Sequence, residues 1–560
     1  MIAIKGLLIK RVACALLCLV LVMYPASAFA SYTSGSLAEK ESEQISAAKA
    51  EVFEASISEI KIMLEKGEIT SEQLCEVYIE RINTYDKDTV KLNSVISINT
   101  NAIAQAKQMD AERSAGHTRG ILHGIPILIK DNIDVSGFPT TLGKTTLSES
   151  AAEADASAVA YLVGQGAIIL GKTNMSTSDT VTRYTVSALL GETRNAYDTA
   201  YSAGGSSGGS AVAVSANLAV AALATDTNGS MTYPAALNGT VALRPTHGLV
   251  DYSGCANVVK ARDVVGPVTK SVEDAALLMD ILTDSATEMT YSKALSKDAL
   301  KGKTVAVIKE LSQYTYNSPN EFKNTDKEIT GLFEKALEDI KAQGANVVTV
   351  SIPKLFSYYN TCRESLSGSG AAKAALVKEL ETLLSENSAD AFVFPAYLSS
   401  PLPSGFDKYG SHKSESLTYL NCGAYLPSLV GLPAVCVPMG MHSSGVSAGL
   451  EFVSLSGEDA EILSLAYSYE QATALRISPE QTPNLYKKVE KPEEPQDKEE
   501  TEPVSSQTVS EPIENKPSSV DGQIITVALI IAAILALCVW VLIFGRYKGG
   551  KKNIHKNRHF

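Results

Sequence analysis

The sequence predicts a layered α/β protein, and two features lead to this prediction. Between residues 120 and 280, short apolar runs typical of buried strands alternate with helical segments punctuated by glycine. The alternation resumes at residues 304–350, and no internal repeat is visible. Because such alternation places helices against a sheet, we expect one large α/β domain at residues 51–479. The composition, 45% hydrophobic and 20% charged, supplies enough apolar side chains for its core.

Local patterns predict the individual elements. Apolar residues at helical spacing predict two helices within residues 51–83, and Thr70 with Gln73 predicts a capping box at the start of the second. Further helices are predicted at residues 156–166, 210–223 and 330–343. Buried strands are predicted at residues 125–129, 167–170, 304–308, 347–350, 391–395 and 434–438, the last two ending in proline.

The N-terminus resembles a secretory signal peptide at residues 1–30. A basic start is followed by the apolar run 12–23 and by small residues that suit cleavage after Ala30 or Ala28. An uncleaved signal anchor is the alternative. Residues 31–50 are mostly small and polar, which predicts a flexible lead-in.

The C-terminus predicts a membrane anchor. Residues 480–523 are acidic and rich in proline, which indicates a disordered spacer. Ile524 to Phe544 is an apolar run of 21 residues, long enough to cross a hydrocarbon core of ~30 Å, so a transmembrane helix is predicted at 524–545. The basic tail 546–560 is then cytoplasmic, which makes the protein a single-pass protein of the cell membrane with an extracellular domain.

Charge and cysteine content exclude several classes of protein. A net charge of −13 argues against a nucleic-acid partner, because phosphates need a basic surface. Five cysteines remain outside the predicted signal peptide and the predicted transmembrane helix. Their spacing is irregular, so it predicts neither a metal site nor a disulfide framework. Only Cys422 and Cys436 suggest a possible bridge.

Three motifs in fixed order carry the chemistry. Lys130 ends an apolar strand, residues 203–211 read AGGSSGGSA, and residues 225–230 read TDTNGS. Glycines at this density allow close backbone approach and unusual φ/ψ values, as a strained catalytic turn requires. A phosphate-binding P-loop is excluded because no Gly-Lys-Ser/Thr ending follows.

These motifs resemble the amidase-signature family of serine amidohydrolases. Further matching segments are residues 171–175, 234–235, 243–248, 266–276 and 431–434, and the resemblance covers roughly residues 50–475. It implies a mixed central β-sheet flanked by helices, with no metal or organic cofactor. It also implies hydrolysis of a small-molecule amide through an acyl-enzyme.

The resemblance assigns roles to residues of this chain. Lys130 is the implied base, Ser206 a relay serine after a cis peptide bond, and Ser230 the nucleophile. The implied oxyanion hole consists of backbone N–H groups of Thr227, Asn228, Gly229 and Ser230, and Asn174 and Met175 are implied to line the substrate pocket. The scheme is chemically coherent, because serine needs a base and a lysine is a base only when neutral, a form that apolar burial favours.

The chain departs from the family pattern beside the nucleophile. Asn228 stands where a second glycine is usual, and Met231, Thr232 and Tyr233 replace a segment that usually contains arginine. Loss of that cation predicts a preference for neutral amides over carboxylate-bearing ones. Two alternatives remain: an ester or fatty-acyl amide hydrolase with the same residues, and a degenerate surface binding protein. The tRNA-dependent transamidating members are disfavoured, because an exported enzyme meets neither aminoacyl-tRNA nor ATP.

Overall fold

The computed structural model describes residues 43–177, 183–284, 288–312, 326–364, 370–405 and 422–486, which belong to one compact unit. The predicted signal peptide, the transmembrane helix at 524–545 and the basic tail lie outside these residues. Among the helices described, none combines the length and the apolar character needed to cross a membrane.

The core is one sheet of eleven strands in the described part of the chain. The strands are β1 (Val95–Ile98), β2 (Pro126–Lys130), β3 (Ile168–Thr173), β4 (Val186–Ser187), β5 (Gly191–Glu192), β6 (Ala222–Asp226), β7 (Val241–Arg244), β8 (Val264–Thr269), β9 (Thr304–Ile308), β10 (Asn346–Val350), β11 (Ala391–Pro395), β12 (Ala434–Met441) and β13 (Ser447–Val453). In the sheet they run in the order β1-β3-β2-β6-β8-β7-β12-β13-β11-β9-β10, and β4 and β5 form a separate pair.

Helices pack against this sheet. Those described are α1 (Ile57–Glu65), α2 (Ser71–Arg81), α3 (Ala102–Ser114), α4 (Ser157–Gly164), α5 (Gly208–Ser215), α6 (Thr232–Leu237), α7 (Val272–Leu282), α8 (Thr290–Ala294), α9 (Lys309–Ser312), α10 (Lys327–Ala342), α11 (Leu355–Glu364), α12 (Gly370–Glu386), α13 (Cys422–Val430) and α14 (Asp459–Thr473). A π-helix, Ile82–Asp88, follows α2, and a short 3₁₀ helix covers Thr145–Leu147. The predicted capping box is formed, since Thr70 and Gln73 each bond the other's backbone N–H.

The sheet is mixed, which confirms the predicted α/β domain with a mixed central sheet. Strands β3, β2 and β6 are parallel to one another, as are β11, β9 and β10, whereas the strands between these two groups pair antiparallel. Strand β2 is completely buried, because it has a parallel neighbour on each side and helix α5 packs against it.

The predicted helix at 210–223 was wrong in its second half. The helix ends at Ser215, and residues 222–226 form strand β6. Asn217 ends the helix in the left-handed region, with a φ of 56°, a conformation that asparagine tolerates better than most residues. Alanine and valine patterning alone did not reveal this break.

Two further expectations need correction. Pro438 does not end its strand, because β12 passes an irregularity between Pro438 and Gly440 and continues to Met441. The possible Cys422–Cys436 bridge is not formed, since Cys436 is a free thiol buried within the sheet.

Two predicted boundaries also shift. The described part of the predicted flexible lead-in, residues 43–50, is helical, and Ala50 is buried in the core. Residues 480–486 lie on the folded body rather than in a spacer, since the Arg81 guanidinium donates to the carbonyl oxygens of Thr482 and Pro483, both at 2.8 Å. The Tyr85 hydroxyl donates to the same Pro483 oxygen.

Gly209 lets helix α5 approach strand β3 very closely. A Cβ atom at this position would lie 2.3 Å from the carbonyl oxygen of Asn174 and 2.7 Å from that of Ser94. Both obstacles are backbone atoms, which no rotamer change can move aside. The absence of a side chain at Gly209 therefore allows the start of α5 to pack directly against the backbone of Asn174 and Ser94.

We expect Gly209→Ala to lower the free energy of unfolding by about 3 kcal/mol or more, because the added methyl group overpacks against backbone. Gly331→Ala is the matched control. Gly331 lies inside α10 with no atom near its missing Cβ, so alanine should stabilise the protein by about 0.5–1 kcal/mol. Urea unfolding of both variants measures these changes. Equal midpoints for Gly209→Ala and the unmodified protein would contradict the packing argument.

Candidate active site

Lys130 is the last residue of strand β2 and is almost completely buried, with 1% of its surface exposed. Its Nζ atom lies 2.8 Å from Ser206 Oγ, 2.7 Å from Ser207 Oγ and 2.9 Å from Thr225 Oγ1. Two of the three predicted catalytic side chains, Lys130 and Ser206, are therefore in direct contact.

The hydroxyl groups around Lys130 form an ordered network. The Ser207 hydroxyl donates to the carbonyl oxygen of Thr225 at 3.0 Å. The Asn132 carboxamide donates to Thr225 Oγ1 at 3.0 Å, and that hydroxyl faces Asn132 Oδ1 at 3.3 Å. Ser207 and Thr225 can thus both accept hydrogen bonds from Lys130 while donating elsewhere.

The serine-rich segment reaches Lys130 through an unusual backbone. The peptide bond between Gly205 and Ser206 is cis, as the resemblance implied. Gly204 adopts a φ of 71° and packs against Tyr233 and Pro234. Helix α5 begins two residues after Ser206, at Gly208, whose N–H donates to Thr185 Oγ1.

Ser230 follows strand β6, the neighbour of β2 in the sheet, and is 5% exposed. The N–H of Ser207 donates to the Ser230 carbonyl oxygen at 3.1 Å, which joins the two serine motifs. The sheet therefore brings all three predicted motifs to adjacent positions.

The structure changes the expected oxyanion hole. The Gly229 N–H points into the protein, where it donates to Asp226 Oδ1 at 3.0 Å and to Ser428 Oγ at 2.8 Å. It is therefore not available to an oxyanion. The N–H groups of the other expected donors, Thr227, Asn228 and Ser230, have no hydrogen-bond acceptor within the described part of the chain.

Asp226 holds this loop in place. Its Oδ2 accepts the Met231 N–H at 2.8 Å, and its Oδ1 forms a fully buried ion pair with Arg244 Nη1 at 2.9 Å. Sequence reasoning missed Asp226 as a site residue and did not single out Arg244 as one. Both residues lie in segments that match the family, but their ion pair forms only because β7 lies near β6 in the sheet, which the sequence does not show.

The two predicted pocket residues lie deeper than expected. Asn174 is fully buried, and its Nδ2 atom donates to Asn93 O, Gly191 O and Thr193 Oγ1 while its Oδ1 accepts the Met175 N–H. It cannot bind a substrate without giving up these bonds. Met175 is 3% exposed.

A second buried lysine, Lys172, does not join the serine cluster. Its Nζ donates to the carbonyl oxygen of Ile133 at 2.5 Å. Burial lowers the pKa of Lys172 to about 8, against the opposing effect of Asp131. Because its described partner is a backbone carbonyl, it supports the loop after β2 rather than the serines.

One group of possible metal ligands is present in the described residues: Asp326, Glu328 and His442, whose ligand atoms lie within 4.8 Å of one another. His442 Nδ1 contacts the Ser444 N–H at 3.0 Å and the Ser444 hydroxyl at 2.8 Å, and His442 Nε2 faces the two carboxylates. Hydrogen bonding accounts for this group without a metal.

Comparison with known proteins identifies the family. The family described as Amidase matches residues 73–367. A glutamyl-tRNA(Gln) amidotransferase subunit from Acaryochloris marina is 30% identical over 486 residues, covering 75% of this chain and 98% of the relative. Mandelamide hydrolase from Pseudomonas putida is 29% identical, covering 74% of this chain and 90% of the relative.

Solved structures agree with this result. The native peptide amidase from Stenotrophomonas maltophilia superposes with a TM-score of 0.64 at 28% identity, covering 76% of this chain and 98% of that one. Together, fold and matches define an amide-hydrolysing enzyme. The chain belongs to the amidase family.

A buried carboxylate lies beside the segment that lacks the usual arginine. Glu451 on β13 is completely buried, and neither of its oxygens has a hydrogen-bond partner in the part of the chain that the structure describes. Burial raises the pKa of Glu451 to about 8; nearby Thr232 and Arg244 oppose the rise, and Asp226 adds to it. Thr232 supplies no cation that could stabilise the charged form.

We expect Glu451 to make stability depend on pH. The folded protein holds this proton up to about pH 8, whereas an unfolded glutamate loses it near 4.5, so the contribution is complete below pH 4.5 and is lost as pH rises through 8. Between pH 5 and 8.5, the unmodified protein should lose about 1 kcal/mol or more of stability relative to Glu451→Gln, which cannot ionise.

Urea unfolding at several pH values measures this difference. Glu381→Gln, at an exposed position on α12, is the control and should track the unmodified protein at every pH. A constant difference between Glu451→Gln and the unmodified protein across this range would show that Glu451 is ionised in the folded state throughout.

Proposed function

We propose that this protein is an exported serine amidase, anchored in the cell membrane by residues 524–545, with Ser230 as nucleophile, Ser206 as relay and Lys130 as base. The observation that carries the proposal is the contact of 2.8 Å between Lys130 Nζ and Ser206 Oγ. The fold and family support amide hydrolysis itself.

The hydrogen-bond directions around Lys130 suit a neutral amine. A neutral lysine has two N–H donors and one lone pair. The Ser207 hydroxyl can take one N–H group, because it donates its own proton to Thr225 O. Thr225 can take the other, shared between its hydroxyl oxygen at 2.9 Å and its carbonyl oxygen at 3.3 Å, because the Thr225 hydroxyl can donate to Asn132. The lone pair then faces the Ser206 hydroxyl, which makes Lys130 an acceptor for the Ser206 proton.

The proposed reaction follows from this arrangement. The Ser230 hydroxyl proton passes to Ser206 Oγ as the Ser206 proton passes to Lys130 Nζ, and Ser230 Oγ bonds to the amide carbon. The oxyanion is stabilised by N–H groups of Thr227, Asn228 and Ser230. When the C–N bond breaks, the leaving nitrogen takes the proton back through Ser206. Water then hydrolyses the acyl-Ser230 ester by the same relay, giving acid plus ammonia or amine.

The substrate that we propose is a neutral, partly apolar amide. Met231, Thr232 and Tyr233 are buried and uncharged, so the segment after Ser230 offers no cation for a substrate carboxylate. The tRNA-dependent amidotransferases among the relatives suggest a second candidate. We disfavour it, because a net charge of −13 is unsuited to tRNA and the proposed export removes the enzyme from aminoacyl-tRNA.

We expect Ser230→Ala to abolish turnover and covalent labelling by a fluorophosphonate probe. Ser206→Ala and Lys130→Ala should each lower kcat by about 10³-fold or more with the fold intact, because both carry the proton. Ser210→Ala is the matched control. Ser210 is a buried serine of the same segment that bonds Thr173 and Leu223 instead, so its variant should keep activity within a few-fold.

The assay pairs a neutral amide with its carboxylate-bearing analogue and with the matched ester. Full activity in Ser230→Ala would refute the triad. A tenfold preference for the carboxylate, about 1.4 kcal/mol in transition-state binding, would refute the proposed substrate class. A much higher rate on the ester would favour the esterase alternative, and an unlabelled protein without turnover would favour the binding protein.

The proposed topology predicts that protease added to intact cells or protoplasts releases the catalytic domain by cutting between residues 487 and 523. The reason is that residues 480–486 pack on the folded body, and the acidic, proline-rich sequence that predicts a spacer follows them. A chain truncated at residue 523 is the control and should reach the medium without protease. Recovery of the full-length protein in the cytosol would contradict the orientation.

A further inference from the structure

The nucleophile loop, defined as residues 226–230, is held by a second segment, residues 258–263, through two adjacent side-chain pairs. The Thr227 hydroxyl donates to Asp263 Oδ1 at 2.7 Å. The Arg262 guanidinium donates through Nη1 to Asn228 Oδ1 at 2.8 Å. Two consecutive residues of one segment thus hold two consecutive residues of the other.

The holding segment is itself rigidly fixed. Arg262 is 4% exposed, its N–H donates to Val259 O, and its carbonyl oxygen accepts Arg244 Nη2 at 2.8 Å. Asp263 Oδ2 accepts the N–H groups of Val258 and Val259. Arg262 therefore reaches Asn228 from a backbone that is bonded to Arg244, the partner of Asp226.

The hydrogen bond between Arg262 and Asn228 helps to orient the backbone N–H groups of the nucleophile loop. Glycine at position 228 would offer no side chain to hold, whereas asparagine offers a carbonyl oxygen to a buried cation. Fixing the Asn228 side chain restricts the backbone of the neighbouring residues, including the N–H groups of Thr227 and Asn228. Donors that are already oriented need no reorganisation when charge develops on a substrate oxygen.

We propose that Arg262 is a positioning residue, which acts through Asn228 to hold the nucleophile loop in the geometry that stabilises the oxyanion. This inference rests on the proposed function of the loop. Arg262, which lies more than thirty positions from the nucleophile in the sequence, then contributes to kcat. Asn228 contributes through its side chain, which a glycine lacks.

A double-mutant cycle tests the inference. Arg262→Met removes the guanidinium but keeps length, apolar bulk and the carbonyl that Arg244 binds. We expect kcat to fall at least tenfold with KM changed less than threefold, and Arg262→Lys to recover part of the loss. In the Asn228→Gly background, Arg262→Met should lower kcat less than twofold. Asn228→Asp keeps an acceptor for Arg262 and should retain more activity than Asn228→Gly.

A tenfold loss from Arg262→Met in both backgrounds would overturn the inference, because Arg262 would then act without Asn228. Hydrogen exchange gives a readout that needs no substrate. The amides of Gly229 and Met231, which donate to Asp226, should exchange at least tenfold faster in Arg262→Met than in the unmodified protein. Unchanged exchange would overturn the inference, even if the loss of activity in Ser230→Ala confirms the nucleophile. If exchange is faster in Arg262→Met but Ser230→Ala keeps full activity, only the proposed function is refuted.

Discussion

The buried ion pair between Asp226 and Arg244 is the interaction on which the site depends. One carboxylate accepts Arg244, the Ser428 hydroxyl and the N–H groups of Gly229 and Met231, so it joins β6, β7, α13 and the start of α6. An unpaired carboxylate in this environment would be costly, and Arg244 removes that cost. The nucleophile loop can therefore be both buried and sharply bent, which a loop held only by apolar contacts could not be.

The position of the site in the sheet follows from strand direction. Strand β6 pairs parallel with β2 on one side and antiparallel with β8 on the other. The parallel pairing brings Lys130 and Thr225, each near the end of its strand, to the same edge. The antiparallel pairing brings the start of β8, and with it residues 262 and 263, back to that edge. The residues of the proposed proton relay and the residues that hold the nucleophile loop therefore lie side by side, where parallel pairing changes to antiparallel pairing.

Much of this arrangement was predictable from sequence, and the failures have physical causes. Strand 304–308 was predicted to the residue, because a run of five residues that are mostly β-branched, with a lysine on each side, is too short for a buried helix and favours a strand. The Lys130–Ser206 contact and the cis bond followed from a family resemblance. The end of helix α5 at Ser215 was missed, because the left-handed residue that follows it, Asn217, lies inside an apolar run and leaves no periodicity signal. The inward Gly229 N–H was missed too, because its direction depends on Asp226 and on Ser428, about 200 positions away.

The hydrogen bonds of Arg81 determine how far a shortened form of the enzyme can be cut back at its C-terminal end. Its guanidinium donates to four backbone oxygens: those of Ala216 and Asn217 at the end of α5, and those of Thr482 and Pro483 near the end of the folded unit. A fragment that stopped at residue 479 would leave half of these bonds unmade around a buried cation. For crystallography or secretion trials, the useful C-terminal limit is therefore beyond Tyr486. Thr482 and Pro483 bind helix α2 through Arg81, so this C-terminal segment belongs to the folded unit.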